Sequence, residues 1–371
     1  MWRTLYLFAS LLTVGLFVPS AGAAALGLAN DDGFVDSGAA AWTDAASLRV
    51  SLVRIDIFWP LVAATPPAKP RVPKSSGYDW TTIDARVRAV PVGTQILLTL
   101  GGTPEWARAD GGAGGSPNDP AWMPRRNSWK NFAYAAALRY NGLYDPDGSG
   151  PLVALPRVLQ FEIWPYPNLA RTLRPQRLAG RVVAPGLYKN IFTAAAGEIT
   201  KVASAAGFAP TIITGGIART DPAQATDTAA LTFLRGMART RLKPSAIGLR
   251  LSPQTGIEGP ADASNLSITD SAMIVNAVDT YWPSANTGVW LTGYVAPSGP
   301  ATSGITPETQ AAAVQAFLAT TINPRFAAVV WDALKDTTVV PNAGLCSAAT
   351  ANLPCTAKPA WTVWIAALPP A

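Results

Sequence analysis

Val158-Leu159-Gln160-Phe161-Glu162-Ile163-Trp164, running directly into Pro165-Tyr166-Pro167-Asn168, is the stretch on which the reading of this chain turns. It is one of eight short apolar runs rich in Val, Ile and Leu that alternate with amphipathic stretches, the pattern of βα units around a parallel sheet. The eight strand candidates are 26–30, 52–59, 95–101, 158–164, 211–216, 246–252, 289–294 and 326–334. Amphipathic segments fit between them. Over 307–319, Thr306 is a natural N-cap, Pro307 takes the first helical position, and Val314, Phe317 and Leu318 share a face. A second helix is expected over 128–140, where Trp129, Phe132, Ala133, Ala136 and Tyr140 recur at helical spacing. The expectation is an α/β fold, a single-domain (β/α)8 barrel over 24–371, in a chain whose 371 residues exceed the roughly 250 that such a barrel needs.

Composition narrows the function. Hydrophobic residues make up 49% and charged residues only 14% of the chain, against about 25% charged in an average domain. The net charge of +6 comes from arginines scattered along the chain, which argues against a nucleic-acid partner. Histidine is absent, so Ser-His-Asp and Cys-His nucleophiles and the HExxH zinc site are excluded. No phosphate-binding glycine motif occurs, and no cofactor is expected. Residues 1–23 read as an export signal: Arg3, an apolar run from Leu5 to Val18, and Ala21-Gly22-Ala23 for cleavage. The run is shorter than the roughly 20 residues of a membrane span, so no span is expected after cleavage. A secreted or envelope-associated chain would hold Cys346 and Cys355 as a disulfide, pinning the loop after the eighth strand.

Several segments together resemble the clan of retaining glycoside hydrolases with barrel folds, the cellulase and xylosidase type. Val53-Arg54-Ile55-Asp56 resembles that clan's second strand, with an arginine under the sugar site, and Leu98-Thr99-Leu100-Gly101-Gly102-Thr103-Pro104-Glu105-Trp106 its third. Phe161 to Asn168 has the frame of its E-x-W-N-E-P-N segment, and Trp290-Leu291-Thr292-Gly293-Tyr294 that of W-x-T-E-[FY]. Trp331-Asp332, then Gly344-Leu345 and Lys358-Pro359-Ala360-Trp361, is similar to the clan's last unit.

The resemblance implies a site at the C-terminal ends of the strands, and there the pattern breaks. Retaining hydrolysis needs two carboxyls about 5 to 5.5 Å apart, one as acid and one as nucleophile. The acid/base slot holds Tyr166 and the nucleophile slot Gly293; Pro165 replaces the preceding asparagine. A phenol with a reference pKa near 10 is a poor proton donor, and glycine offers no side chain at all. Glu105 and Glu162 are the fallback acids. Glu162 shares the parity of Tyr166, so it is expected to point into the barrel one layer deeper and to pair with Arg54. The resulting expectation is a catalytically degenerate, carbohydrate-binding or scaffolding barrel, with Arg54, Trp106, Trp164, Asn168, Tyr294 and Trp331 as groove residues, although these aromatics suit a core equally well. The alternative is an active O-glycosyl hydrolase that uses relocated carboxylates. Arg125, Arg126, Arg171, Arg174 and Arg177 are expected on one rim, which would favour an anionic glycan.

Overall fold

A computed structural model describes residues 24–109, 120–146, 154–220, 224–252, 262, 264–283, 287–298, 305–337, 341–347 and 355–368. The export-signal segment 1–23 lies outside the described residues, as does the centre of the long loop after the third strand. Eight parallel strands form the body: β1 (Ala25–Ala29), β2 (Leu52–Phe58), β3 (Gln95–Gly101), β4 (Gln160–Ile163), β5 (Thr211–Thr214), β6 (Ala246–Arg250), β7 (Gly288–Tyr294) and β8 (Phe326–Trp331). Each pairs with the next, and β8 returns to β1 through Leu26 beside Val329, so the sheet closes on itself. A closed (β/α)8 barrel has no open edge to protect.

Helices α1 (Ala39–Ser47), α2 (Thr81–Ala89), α3 (Arg126–Arg139), α4 (Ala184–Ala205), α5 (Ala230–Arg239), α6 (Ser271–Tyr281), α7 (Pro307–Ala319) and α8 (Pro359–Ala367) cover the outside. The start of α7 is as the sequence indicates, with the Thr306 side chain accepting from the Thr309 amide at 3.2 Å. Helix α3 begins two residues before the expected 128, without a side-chain cap.

Strand alternation makes two cores. Inward residues Ala29, Leu52, Leu97, Ile213, Ala246, Trp290, Ala328 and Val330 fill the lower barrel. Outward residues such as Val53, Ile55, Ile57 and Trp59 join the helix layer. Trp59 stacks on Phe132 at 4.8 Å, and Phe132 on Trp80 at 6.0 Å. These rings lock β2 to the helix layer between α2 and α3.

Several strands end earlier than their apolar runs suggest. β4 stops at Ile163 rather than 164, because Trp164 takes a left-handed conformation (φ 67°) and Tyr166 does so again (φ 51°). Bulky residues rarely adopt that region, so the backbone here is held by its surroundings. The Trp164 amide bonds Leu100 O, and the Tyr166 amide bonds Gly216 O. Likewise β5 ends at Thr214 and β8 at Trp331, where the chains leave the ladder to build the upper rim. Cys346 and Cys355 are disulfide-bonded with Cα atoms 5.5 Å apart, closing the loop after β8. Closing so short a loop is worth roughly 2 to 3 kcal/mol in the chain-entropy model.

Candidate functional site

Parallel strands all deliver their C-terminal ends to one face, and on that face this chain carries an ion network. β2 supplies its axis, because residues two apart on a strand share a side. Arg54, Asp56 and Phe58 therefore rise in order from the polar middle of the barrel to its lip. Arg54 is fully buried. Its Nη2 donates to both oxygens of Asp31 at 2.8 Å, its Nε to Asp56 at 3.0 Å, and its Nη1 to Asp332 at 2.8 Å and to the Thr292 carbonyl at 2.5 Å.

Glu162 points inward from β4, as its parity requires, but its partner is Arg250 and not Arg54. Arg250 Nη2 lies 2.5 Å from Glu162 Oε2, while the hydroxyls of Thr99 and Thr292 and the Gly216 amide donate to the same carboxylate at 2.5, 2.6 and 2.6 Å. Four donors and zero exposure tie this glutamate up completely. Parity set the face correctly; which guanidinium crosses the barrel to meet it depends on β6, whose Arg250 lies nearer than β2 can reach once Arg54 is engaged by three aspartates.

Position 293, which the sequence resemblance reads as the nucleophile slot, is closed from the neighbouring strand. The register of β7 against β6 and β8 shifts around Leu291 to Gly293, and this bulge turns Gly293 inward beside Thr292. A Cβ at position 293 would lie 2.6 Å from Arg54 Nη1 and 2.6 Å from Asp332 Oδ1. The missing side chain is thus what lets Asp332 of the β8 end reach Arg54. Tyr166, at the position that the resemblance reads as the acid/base slot, is half-buried between two guanidiniums, Arg250 at 4.9 Å and Arg171 at 5.4 Å from its ring. Burial raises its pKa further, against the opposing pull of Arg250, so it is a still weaker acid than a free phenol.

The other residues singled out from the sequence fall in different places. Trp164, Tyr294 and Trp331 are fully buried. Trp164 Nε1 bonds Thr172 O, while Tyr294 and Trp331 pack on each other and on Phe317 under α7. Asn168, also buried, bonds Ala218 through both amide and carbonyl and holds the segment after β5. Trp106 is half-buried, edge-on to Trp59, with Nε1 on Ala63 O. Glu105 is exposed in the β3 loop. The five rim arginines are exposed, and the loops that carry them are stitched by the Trp122–Arg174 bridge. Among the described residues no cluster of His, Cys, Asp or Glu is arranged to hold a metal ion, and no helix is long and apolar enough to cross a membrane.

Sequence reasoning passed over Asp31 and Phe58. Asp31 follows β1 and keeps 34% of its side chain exposed; Asp56 keeps 40%, and Phe58 is 42% exposed. The alternation of Arg54, Asp56 and Phe58 on one strand was the signal available for the last.

Burial drives the Asp332 carboxyl up to about 6; Arg54 opposes this, and Asp31 reinforces it. Asp56, reached by water and facing both guanidiniums, is instead lowered against the cost of its burial, by Arg54 and then Arg250. For Asp332 the native state binds more protons than the unfolded chain between about pH 4 and 6, so its contribution is full below that window and lost as pH rises through it. Asp56 has the opposite sign, contributing above about pH 4 and losing its effect on acidification. Asp332→Asn should therefore remove the downward slope of the melting temperature between pH 4 and 6; an unchanged slope would show that Asp332 titrates normally.

No protein-family model matches the sequence, and no curated protein matches it. Solved structures do match the fold. A family 39 glycoside hydrolase from Bacteroides cellulosilyticus superposes with a TM-score of 0.57 at 16% identity, over 92% of this chain and 63% of the other, so this chain is shorter than that relative. A monomeric beta-xylosidase from Caulobacter crescentus gives 0.60 at 14%, over 92% and 67%. A broad-specificity endoglucanase from Clostridium acetobutylicum gives 0.54 at 10%, over 93% and 96%. The class that fold and neighbours define is the closed (β/α)8 barrel, an architecture this chain shares with these glycoside hydrolases. At these identities the likeness establishes the architecture alone.

Proposed function

We propose that this protein binds a glycan at the mouth of its barrel and does not carry out double-displacement hydrolysis. The observation that carries this reading is the closed nucleophile slot: where an attacking carboxylate would begin, Asp332 and Arg54 already meet. A glutamate frozen by four donors and a tyrosine of raised pKa do not replace the missing pair. The export-like residues 1–23 and the disulfide support action outside the cytoplasm, secreted or at the envelope. The Arg54 network holds three carboxylates against one guanidinium, so acidic groups of a ligand belong on the outer rim, near Arg171 and Arg174.

A second reading has one observation in its favour. Asp332 and Asp56 share Arg54, yet their pKa values move in opposite directions, the condition under which one carboxyl gives a proton and another takes it. Hydrolysis of aryl β-glycosides separates the two readings. Wild type is expected to show no turnover above background; clear turnover abolished by Asp332→Asn, Glu105→Gln or Glu162→Gln would replace the binding protein with a hydrolase of relocated acids.

A further inference from the structure

Phe58 is a large ring left in the open at a place where its neighbours hold it still. It stands at the end of β2, two residues above Asp56 and four above Arg54, on the inward side of the strand. The next residue, Trp59, turns the other way and is fully buried. Behind Phe58 the β3 chain passes at Gly102, whose φ of +80° suits glycine, and a Cβ there would lie 2.5 and 2.7 Å from Phe58 Cε2 and Cδ2. The same position would meet Pro60 Cδ at 2.9 Å. Gly102 thus lets the backbone lie against the ring and fix its plane. On the other side of that corner, the adjacent Gly101 accepts Pro165 as closely, with Cδ 2.5 Å from a Cβ there, which brings the Tyr166 loop up beside the Phe58 lip.

We propose that Phe58 is the platform on which a neutral pyranose ring stacks, with hydroxyls of that ring bonded by the carboxylates of Asp56 and Asp31. The inference rests on the glycan-binding reading and adds the residues and the ligand class. A sugar presents apolar C–H groups on its faces and hydroxyls around its edge, so it calls for a ring beside accessible acceptors. Asp56 and Asp31 provide those acceptors, held in place by Arg54 and still open to water. Neutrality follows from charge: two guanidiniums, Arg54 and Arg250, are shared among four carboxylates, Asp31, Asp56, Asp332 and Glu162, with Arg250 also 3.6 Å from Asp56, so a uronate carboxylate placed here is repelled. Ordering costs little, because the ring is backed before the ligand arrives.

The test is calorimetric titration of the full chain with cello-, xylo- and laminari-oligosaccharides and with oligogalacturonate, in wild type and in Phe58→Ala, Phe58→Tyr and Val92→Ala. Val92 is fully exposed between α2 and β3 on the opposite face and serves as control. A neutral oligosaccharide is expected to bind wild type, Phe58→Tyr and Val92→Ala alike and Phe58→Ala about tenfold or more weakly, with melting temperatures unchanged. Equal binding by Phe58→Ala overturns this inference and leaves the glycan-binding reading intact. Oligogalacturonate binding stronger than that of every neutral probe, lost in Phe58→Ala and kept in Arg171→Ala with Arg174→Ala, overturns the ligand class; the reverse pattern places the carboxylates on the rim and leaves the neutral ring at Phe58. Concentration-dependent self-association lost in Phe58→Ala would make the lip a contact between copies and also overturn the proposal. Wild type that binds none of the probes would remove the glycan-binding reading itself.

Discussion

Arg54→Leu should destabilise the barrel by about 3 to 5 kcal/mol at pH 7, the usual cost of removing one partner of a buried ion pair. Arg54 is fully buried and is the ligand of three carboxylates at once. They will not suffer equally. Asp31 and Asp56 keep water contact and can be solvated when the guanidinium goes, so their share is small. Asp332, almost fully buried, is left charged with Asp31 as its neighbour. Arg250 still attracts it, but its main relief is protonation, so the loss should be smallest in acid and largest above pH 6. Arg54→Leu combined with Asp332→Asn should recover a large part of the loss, measured by urea denaturation of each variant at pH 5 and 8. A loss below about 1 kcal/mol that does not depend on pH would mean that water screens the whole network.

Gly293→Glu, the substitution that would restore the sequence pattern of a retaining glycosidase, is expected to damage the protein rather than awaken it. Its Cβ alone would stand 2.6 Å from both Arg54 Nη1 and Asp332 Oδ1. The arginine and aspartate ends can move only by breaking their pair, so overpacking of roughly 1 to 3 kcal/mol adds to the loss of a buried interaction. A second carboxylate beside Asp332 raises the repulsion further. Asp332→Gly should make room, so Gly293→Glu with Asp332→Gly is expected to be more stable than the sum of the single effects by more than 1 kcal/mol. The full change, with Pro165→Asn and Tyr166→Glu, then has space for two carboxyls across the mouth. Thermal melts and aryl-glycoside assays on the single, double and quadruple variants check this. Additive losses would show that Asp332 does not occupy the slot.

Much of the architecture was legible because its causes are local. Eight apolar runs with helical stretches between them define the βα units, and the Thr306-Pro307 start of α7 needs only its own residues to be a helix start. Cys346 and Cys355 are the chain's only cysteines, so one pairing alone was open to them. Parity likewise placed Glu162 inside the barrel. Partnerships across the barrel were not legible. That Arg250 and not Arg54 meets Glu162 depends on the relative height of β4 and β6, and inter-strand register is a property of the closed sheet. Whether a tryptophan is a platform or a core residue is likewise undecided by its neighbours in sequence. Trp331 and Trp164 are covered because the α7 layer and the Thr172 turn lie over them, whereas Phe58, at the end of β2, stays 42% exposed although Gly102 lies against its ring.

The sequence by itself determined the barrel, the inward side of Glu162 on β4, the disulfide and the presence of Tyr166 and Gly293 where the resemblance implies glutamates, since periodicity, capping and residue identity act over a few neighbours. Only the tertiary structure decided what fills those positions. A bulge in β7 turns Gly293 inward, and the space without a side chain is taken by Asp332, 39 residues further along the chain, on Arg54 from the opposite end of the sequence. A buried charge must find a counter-charge wherever closure of the sheet places one.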